Sequence, residues 1–197
     1  EVTTNPSISS GSLVLASTSI TFSKGDTKAG YTWKNWNSKA DGNGTVLGTG
    51  DTYVSSNRVK DITVYACYDL ITYNITYNLN GGTGATNTTY NVTTATITLP
   101  TPSKTGYTFD GWYFESDFSG TKQTQITKGS TGNKTYFAKW TANQYTIKWD
   151  ANGGTVDPTS STYIYDGDPV VLPTPKREGY TFNGWFTTSS GEERITD

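Results

Sequence analysis

The sequence of 197 residues has no histidine, a single cysteine (Cys67), no methionine and few charges, 15 Lys+Arg against 17 Asp+Glu. Each shortage removes a class of function. Without His, the commonest general base, the usual catalytic triad and most catalytic zinc sites are gone. One Cys cannot close an intrachain disulfide or build a Cys-rich zinc centre. A near-neutral balance with 16% charged residues offers no basic surface able to displace the counterions of a nucleic acid. No apolar run approaches the roughly 18 residues of a membrane span, so no membrane insertion is expected within this segment. The chain opens Glu1-Val2-Thr3, with no initiator Met and no basic-plus-apolar leader, as expected of a processed or excised piece.

What is abundant points one way. Thr (38) and Ser (18) together supply more than a quarter of the chain, beside 14 Tyr, 6 Trp and 21 Gly. Thr, Tyr, Trp and Val suit pleated, half-buried strands, and Gly and Asn suit tight turns. A disordered Ser/Thr-rich chain would not carry 14% aromatics. The composition is that of a mostly-β, turn-rich extracellular module.

Internal repeats organise the chain. Tyr73-Asn74-Ile75-Thr76-Tyr77-Asn78-Leu79-Asn80-Gly81-Gly82-Thr83 matches Tyr145-Thr146-Ile147-Lys148-Trp149-Asp150-Ala151-Asn152-Gly153-Gly154-Thr155 at an offset of 72. Leu99-Pro100-Thr101-Pro102 matches Leu172-Pro173-Thr174-Pro175, and Gly106-Tyr107-Thr108-Phe109-Asp110-Gly111-Trp112 matches Gly179-Tyr180-Thr181-Phe182-Asn183-Gly184-Trp185, both at 73. A divergent copy lies upstream in Gly30-Tyr31-Thr32-Trp33-Lys34-Asn35-Trp36, and its end, Val64 to Tyr68, matches Tyr136 to Trp140. Three copies are therefore expected, at 1–70, 71–142 and 143–197, the third incomplete. No Gly/Ser-rich or Pro-rich linker separates them, which favours a semi-rigid array over beads on a flexible string.

Each copy reads as strands. Tyr73, Ile75, Tyr77 and Leu79 alternate with Asn74, Thr76 and Asn78, giving one apolar and one polar face. Asn-Gly-Gly-Thr then supplies a turn that needs positive φ. Ala95 to Leu99 reads as a second strand, ended by Pro100 and Pro102, which cannot donate to a ladder. Tyr107, Phe109 and Trp112 are core candidates in the next strand, and Tyr136, Ala138 and Trp140 share one face of the last. Glu115 to Lys128 shows no sustained helical period. A copy this short has a small core, so its few large aromatics supply much of the burial.

Taken in order, Tyr-x-Ile-x-Tyr/Trp-x-x-Asn-Gly-Gly-Thr, Leu-Pro-x-Pro, Gly-Tyr-Thr-Phe-x-Gly-Trp and Ala-Lys-Trp resemble the internalin-type B-repeat, or Listeria–Bacteroides repeat, of bacterial cell-surface proteins. The match covers 71–142 in full, the available part of the third copy, and the first copy from Gly30 onward. The first copy departs by lacking Asn-Gly-Gly-Thr and Leu-Pro-x-Pro. The resemblance implies a mainly β fold of tandem small β-grasp-like repeat units with little helix. It also implies a stalk or adhesive segment in a secreted or surface protein, beside a separate ligand-binding domain. It brings no catalytic residues and no cofactor.

The remaining candidate chemistry yields to simpler readings. Asp41-Gly42-Asn43-Gly44-Thr45 has one Asp where a calcium loop needs several converging acids closed by a Glu, so a hairpin turn is expected. Asp166-Gly167-Asp168 reads as a turn before Pro169. Asp150 and Asp157 flank Gly153-Gly154, but the second copy has Asn78 where the third has Asp150, which argues for a turn rather than paired catalytic acids. The Gly-rich stretch 42–50 lacks the spacing of a phosphate cradle. The sequons at Asn43, Asn74, Asn87, Asn91 and Asn133 are what the Asn and hydroxyl content produces by chance. Cys67 is expected as a free thiol on the less buried face of its strand.

The expected function is thus a non-enzymatic stalk or adhesin at the cell surface or outside the cell. Its possible partners are a host or neighbouring-cell surface protein or a glycan. Tyr113, Phe114 and Phe118 are the candidate exposed partner-binding aromatics. The alternatives are direct glycan or host-protein binding, and an extracellular fibre formed by head-to-tail self-association. In that fibre Leu13, Val14, Leu15 and Ala16 donate a strand to the unfinished third copy of the next molecule. No nucleic-acid partner is expected.

Overall fold

The computed structural model describes residues 24–47, 63–191 and 193–195, and the backbone alone of 20–21 and 52–53. The described residues form thirteen strands and no helix. They are β1 (Ile20–Thr21), β2 (Tyr31–Asn37), β3 (Val46–Leu47), β4 (Thr52–Tyr53), β5 (Tyr65–Leu70), β6 (Tyr73–Asn78) and β7 (Thr88–Tyr90). There follow β8 (Ile97–Thr98), β9 (Tyr107–Tyr113), β10 (Gln125–Ile126), β11 (Lys134–Ala142), β12 (Gln144–Lys148) and β13 (Ser160–Ile164). The pairs β1–β4, β2–β3, β2–β5, β6–β7, β8–β10, β9–β11 and β12–β13 are antiparallel. The protein is mainly β, built from several small sheets.

By contact the chain divides into two compact units, Glu1–Thr76 with Asn87–Leu99 and Gln125–Thr135, and Tyr77–Thr86 with Pro100–Thr124 and Tyr136–Asp197. In the first unit β3, β2 and β5 make a three-stranded sheet. Buried Asn37 ends β2 and organises the loop after it. Its Oδ1 accepts from the amides of Lys39 and Gly44, both at 2.9 Å, and its Nδ2 donates to the Gly42 carbonyl at 2.8 Å. The Asp41–Thr45 segment is thereby held as a hairpin turn, with the Asp41 carboxylate accepting from the Asn43 amide. In the same unit β6 pairs with β7 from Tyr73↔Tyr90 to Ile75↔Thr88. Ile75 is fully buried while Asn74 and Thr76 are exposed, the alternation expected from the sequence. The strand expected over Ala95–Leu99 shortens to β8, which pairs with β10.

The second unit carries the turns and the aromatic core. Asn80 and Gly81 have φ of 47° and 86°, and Asn152 and Gly153 repeat those values. Gly82 and Gly154 close the turns onto the carbonyls of Leu79 and Ala151 at 2.9 and 3.0 Å. Two successive positive φ values make the tight turn that matches strand twist, which is why Asn-Gly recurs there. Trp112 and Trp185, 2% and 8% exposed, occupy equivalent sites. Each indole Nε1 donates to a proline carbonyl, Pro100 at 2.7 Å and Pro173 at 2.8 Å. Each indole also meets two equivalent rings: Tyr77 and Phe109 at 5.0 and 5.4 Å from Trp112, Trp149 and Phe182 at 4.9 and 5.5 Å from Trp185.

Two bulges repeat as well. β11 pairs with β9 so that Lys139 faces Gly111 and Trp140 faces Phe109, leaving Asp110 as the extra residue. β5 pairs with β2 so that Cys67 faces Asn35 and Tyr68 faces Trp33, leaving Lys34 as the extra residue. The bulged side chain is charged in both places and finds an opposite charge. Asp110 meets Lys139 at 3.5 Å, and Lys34 meets Asp69 at 3.1 Å. Both pairs are exposed enough to be worth little in stability. In the third copy residues 180–186 form no strand among the described residues, and Phe182 is 42% exposed.

Candidate functional site

The expected aromatic patch of Tyr113, Phe114 and Phe118 splits between two faces. Tyr113 ends β9 and Phe114 follows it outside the strand, and the two rings meet different partners. Phe114, 40% exposed, stacks on buried Tyr136 with centroids 5.1 Å apart. Tyr113 and Phe118 are half-buried and meet edge-on at 6.0 Å. The ammonium of Lys139 lies 5.4 Å from the Tyr113 ring and 6.0 Å from that of Phe118. The Tyr113 hydroxyl donates to Asp110 at 3.5 Å. Two rings, a cation and a carboxylate thus form one cluster around the Asp110 bulge, and Phe114 belongs to the other face.

Phe118 is held at φ 60°, a region a bulky side chain rarely takes. Its amide closes a turn onto the Glu115 carbonyl at 3.0 Å, and Asp117 accepts from the Ser119 amide at 2.9 Å. The hydrogen bonds from Ser119 hold the Asp117 carboxyl below its ordinary value. The loop therefore presents the Phe118 ring to Tyr113 by backbone geometry.

A second constellation, absent from the sequence reading, recurs in all three copies. Lys28, Lys104 and Arg177 each stand three residues before the Tyr of Gly-Tyr, and each cation covers that ring, at 4.2, 4.0 and 4.0 Å for Tyr31, Tyr107 and Tyr180. The turn between them places the pair, because the Tyr amide donates to the carbonyl of the cationic residue in every copy. Lys104 and Arg177 also donate to the Asn80 and Asn152 carbonyls at 3.1 and 2.7 Å, tying this turn to the Asn-Gly turn. The signal was legible as a basic-x-Gly-Tyr spacing repeated three times.

Tyr107 has a further role. Its hydroxyl donates to Asp166 at 3.1 Å, and its ring meets Tyr165 edge-on at 5.6 Å. That hydrogen bond, with smaller contributions from burial and the neighbouring carboxylate, raises the Tyr107 phenol above its ordinary value. Farther along, Tyr145 and Tyr163 stack across β12 and β13 at 5.2 Å with both rings more than a third exposed. A shallow cleft of about 900 Å³ opens over Trp149, Arg177, Tyr180, Phe182 and Trp185.

The acids do not converge. Asp150 accepts from the Asn152 amide at 2.8 Å and shapes its turn. Among the described residues no group of three His, Cys, Asp or Glu is placed to hold a metal ion, and no helix is long and apolar enough to cross a membrane. Cys67 is free and half-buried. Leu13, Val14, Leu15 and Ala16 lie outside the described residues.

Comparison with known proteins agrees with this repeated geometry. The Listeria-Bacteroides repeat domain family matches residues 3–67, 73–139 and 145–197. A protein of Evansella cellulosilytica, named as a Gly-rich membrane protein, is 31% identical over 161 residues, 81% of this chain and 18% of that protein. Internalin H of Listeria monocytogenes is 35% identical over 91 residues, 46% of this chain and 16% of its own length. The chain thus spans less than a fifth of the relatives it matches. No solved structure gives a significant match. With three family matches laid end to end over nearly all of its length, the chain belongs to the Listeria-Bacteroides repeat domain family.

Proposed function

We propose that this chain is a non-enzymatic tandem-repeat module of a bacterial surface or secreted protein, a stalk that carries a partner-binding region away from the cell and adds to adhesion. Its copies, at 1–70, 71–142 and 143–197, are small β-grasp-like units. The observation that carries the reading is the repetition of structural parts from copy to copy. The Trp-to-proline-carbonyl bond, the Asn-Gly turn, the bulge and the cation over tyrosine recur. A repeated core with variable surface residues is what an array needs.

The test places the full chain between a cell-wall anchor and a reporter epitope on a displaying bacterium. Antibody access to the epitope rises relative to the same epitope fused directly to the anchor. Equal access refutes the stalk. A glycan and host-protein array probed with the full chain tests the adhesive part, for which Phe114, Tyr145 and Tyr163 offer exposed rings.

A further inference from the structure

The glycine of the basic-x-Gly-Tyr turn has a partner in the following copy. Gly30 is buried at φ 78°, and a Cβ built there runs into the side chain of Val92. Gly106 has the same φ, and a Cβ built there runs into the ring of Tyr165. Val92 and Tyr165 are themselves equivalent. Each is the second residue after the Tyr that ends Thr88–Tyr90 or stands at Tyr163, at an offset of 73. The backbone around the glycine repeats too. The Ile71 amide donates to the Gly30 carbonyl at 3.0 Å, and the Asn143 amide donates to the Gly106 carbonyl at 2.9 Å. Ile71 and Asn143 both lie in the short passages between copies, two residues long after β5 and one after β11. At the second junction Tyr165 donates its own amide to the Asn143 carbonyl at 2.9 Å, and Thr108 Oγ1 donates to Asn143 Oδ1 at 2.7 Å.

From this we infer that each Gly-Tyr turn is the receptor half of a copy-to-copy joint, and that the apolar side chain two residues past the second strand of the next copy is its plug. The inference rests on the reading of the chain as a repeat array. It adds the residues that set one copy against the next: Gly30 with Val92, and Gly106 with Tyr165. The glycine serves twice. Its φ lies where L residues are strained, and its missing Cβ is the space the plug fills. Plug identity distinguishes the joints. Val92 offers only aliphatic contact, whereas Tyr165 meets Tyr107 edge-on, and the Tyr107 hydroxyl reaches Asp166 next to the plug. The receptor fits an apolar side chain from another copy of this repeat, and its walls are an aromatic ring and a backbone turn.

Gly179 supplies an internal control. It shares the φ of 78°, yet among the described residues a Cβ built there meets nothing within 4 Å. Gly106→Ala and Gly179→Ala therefore introduce the same backbone strain, and only the first obstructs a plug. Amide hydrogen exchange on the full chain reads the difference. In Gly106→Ala, exchange at Asn143 and Tyr165 accelerates by about tenfold or more as the joint opens locally. In Gly179→Ala both amides keep their wild-type rates, as does Ile71 in either variant. In the Tyr165→Ala background, Gly106→Ala accelerates exchange at Asn143 by less than it does with Tyr165 present, because only the backbone strain remains. Tyr165→Phe, which keeps the ring, holds the Asn143 amide near its wild-type rate. Wild-type exchange at Asn143 and Tyr165 in Gly106→Ala overturns the joint, as does an equal Gly106→Ala effect with Tyr165 removed. Either result leaves the stalk reading standing, since epitope access measures extension and not the fit of one side chain.

Discussion

Replacing Trp112 by alanine tests the core that defines a copy. The side chain is 2% exposed and packs against Tyr77 at 5.0 Å, Phe109 at 5.4 Å and Tyr136 at 6.4 Å. Truncating a buried Trp costs about 3–5 kcal/mol. The Pro100 carbonyl, which accepts from the indole at 2.7 Å, loses its donor, worth about 1 kcal/mol more where water cannot replace it. Against a domain stability of about 5–15 kcal/mol, the variant retains a small margin or none. Trp112→Phe separates the two contributions, since it keeps a ring in the cavity and loses only the donor and part of the volume. It is expected to cost about 1–3 kcal/mol. The assay is urea unfolding followed by near-ultraviolet circular dichroism. With a slope of about 1–2 kcal/mol per M, Trp112→Ala moves the affected midpoint by about 2 M or more, or abolishes that transition. A midpoint unchanged within experimental scatter refutes the reasoning, because it would mean that the indole is not a principal buried contact of its copy.

Gly82→Ala is expected to cost about 1–3 kcal/mol by overpacking, since the new Cβ falls 2.5 Å from the Trp140 ring and 2.9 Å from the Ser103 carbonyl; thermal melting of the two proteins checks it. Asn37→Ala removes three short hydrogen bonds from a buried side chain and should cost about 2–3 kcal/mol, with protease cleavage appearing first in the 38–45 loop. Tyr107 has its phenol pKa raised in the folded chain, chiefly by the hydrogen bond to Asp166. Its contribution is therefore complete below the ordinary tyrosine value and is lost as pH rises through the elevated one. Ultraviolet titration should show this tyrosine ionising late in wild type and earlier in Asp166→Asn, and identical titrations would count against the bond.

The parts of the fold visible in the sequence are those fixed by local chemistry. Alternation from Tyr73 to Asn78 gave the buried face, because a half-buried strand repeats every two residues. Asn80-Gly81 gave the turn, because few other residues accept two positive φ values. Trp112 and Trp185 were found by repetition alone. The missing elements depend on partners far along the chain. Thr88-Thr89-Tyr90 and Ser160 to Ile164 carry little apolar pattern, since most of their residues are exposed; pairing with β6 and β12 makes them strands. Ala95 and Thr96 stay outside β8, whose pairing with β10 covers only two residues. The candidate patch shows the same non-local dependence: Tyr113 meets Phe118, whereas Phe114, just past the end of β9, stacks on Tyr136 of β11, a partner that local sequence does not reveal.

The bulges show which level of the repeat is kept from copy to copy. In the second copy the extra residue is Asp110 and its counter-charge Lys139 lies across the ladder. In the first it is Lys34, paired with Asp69. The signs are reversed and the partner stands two strand positions away, yet the kink falls at the same point between a ring and the Trp-bearing half of the strand. Exposed ion pairs this weak cannot be what holds the bulge. The stronger constraint is that Trp36 and Trp112 lie opposite Ala66 and Ala138, small residues that are 3% and 0% exposed, after a strand that begins at the Gly-Tyr turn. One extra residue adjusts the register between those two fixed ends. Surface charge is then free to vary while the turn and the indole stay in place, so neighbouring copies can differ in what they show to solvent and still present the same Gly-Tyr end to the copy that follows.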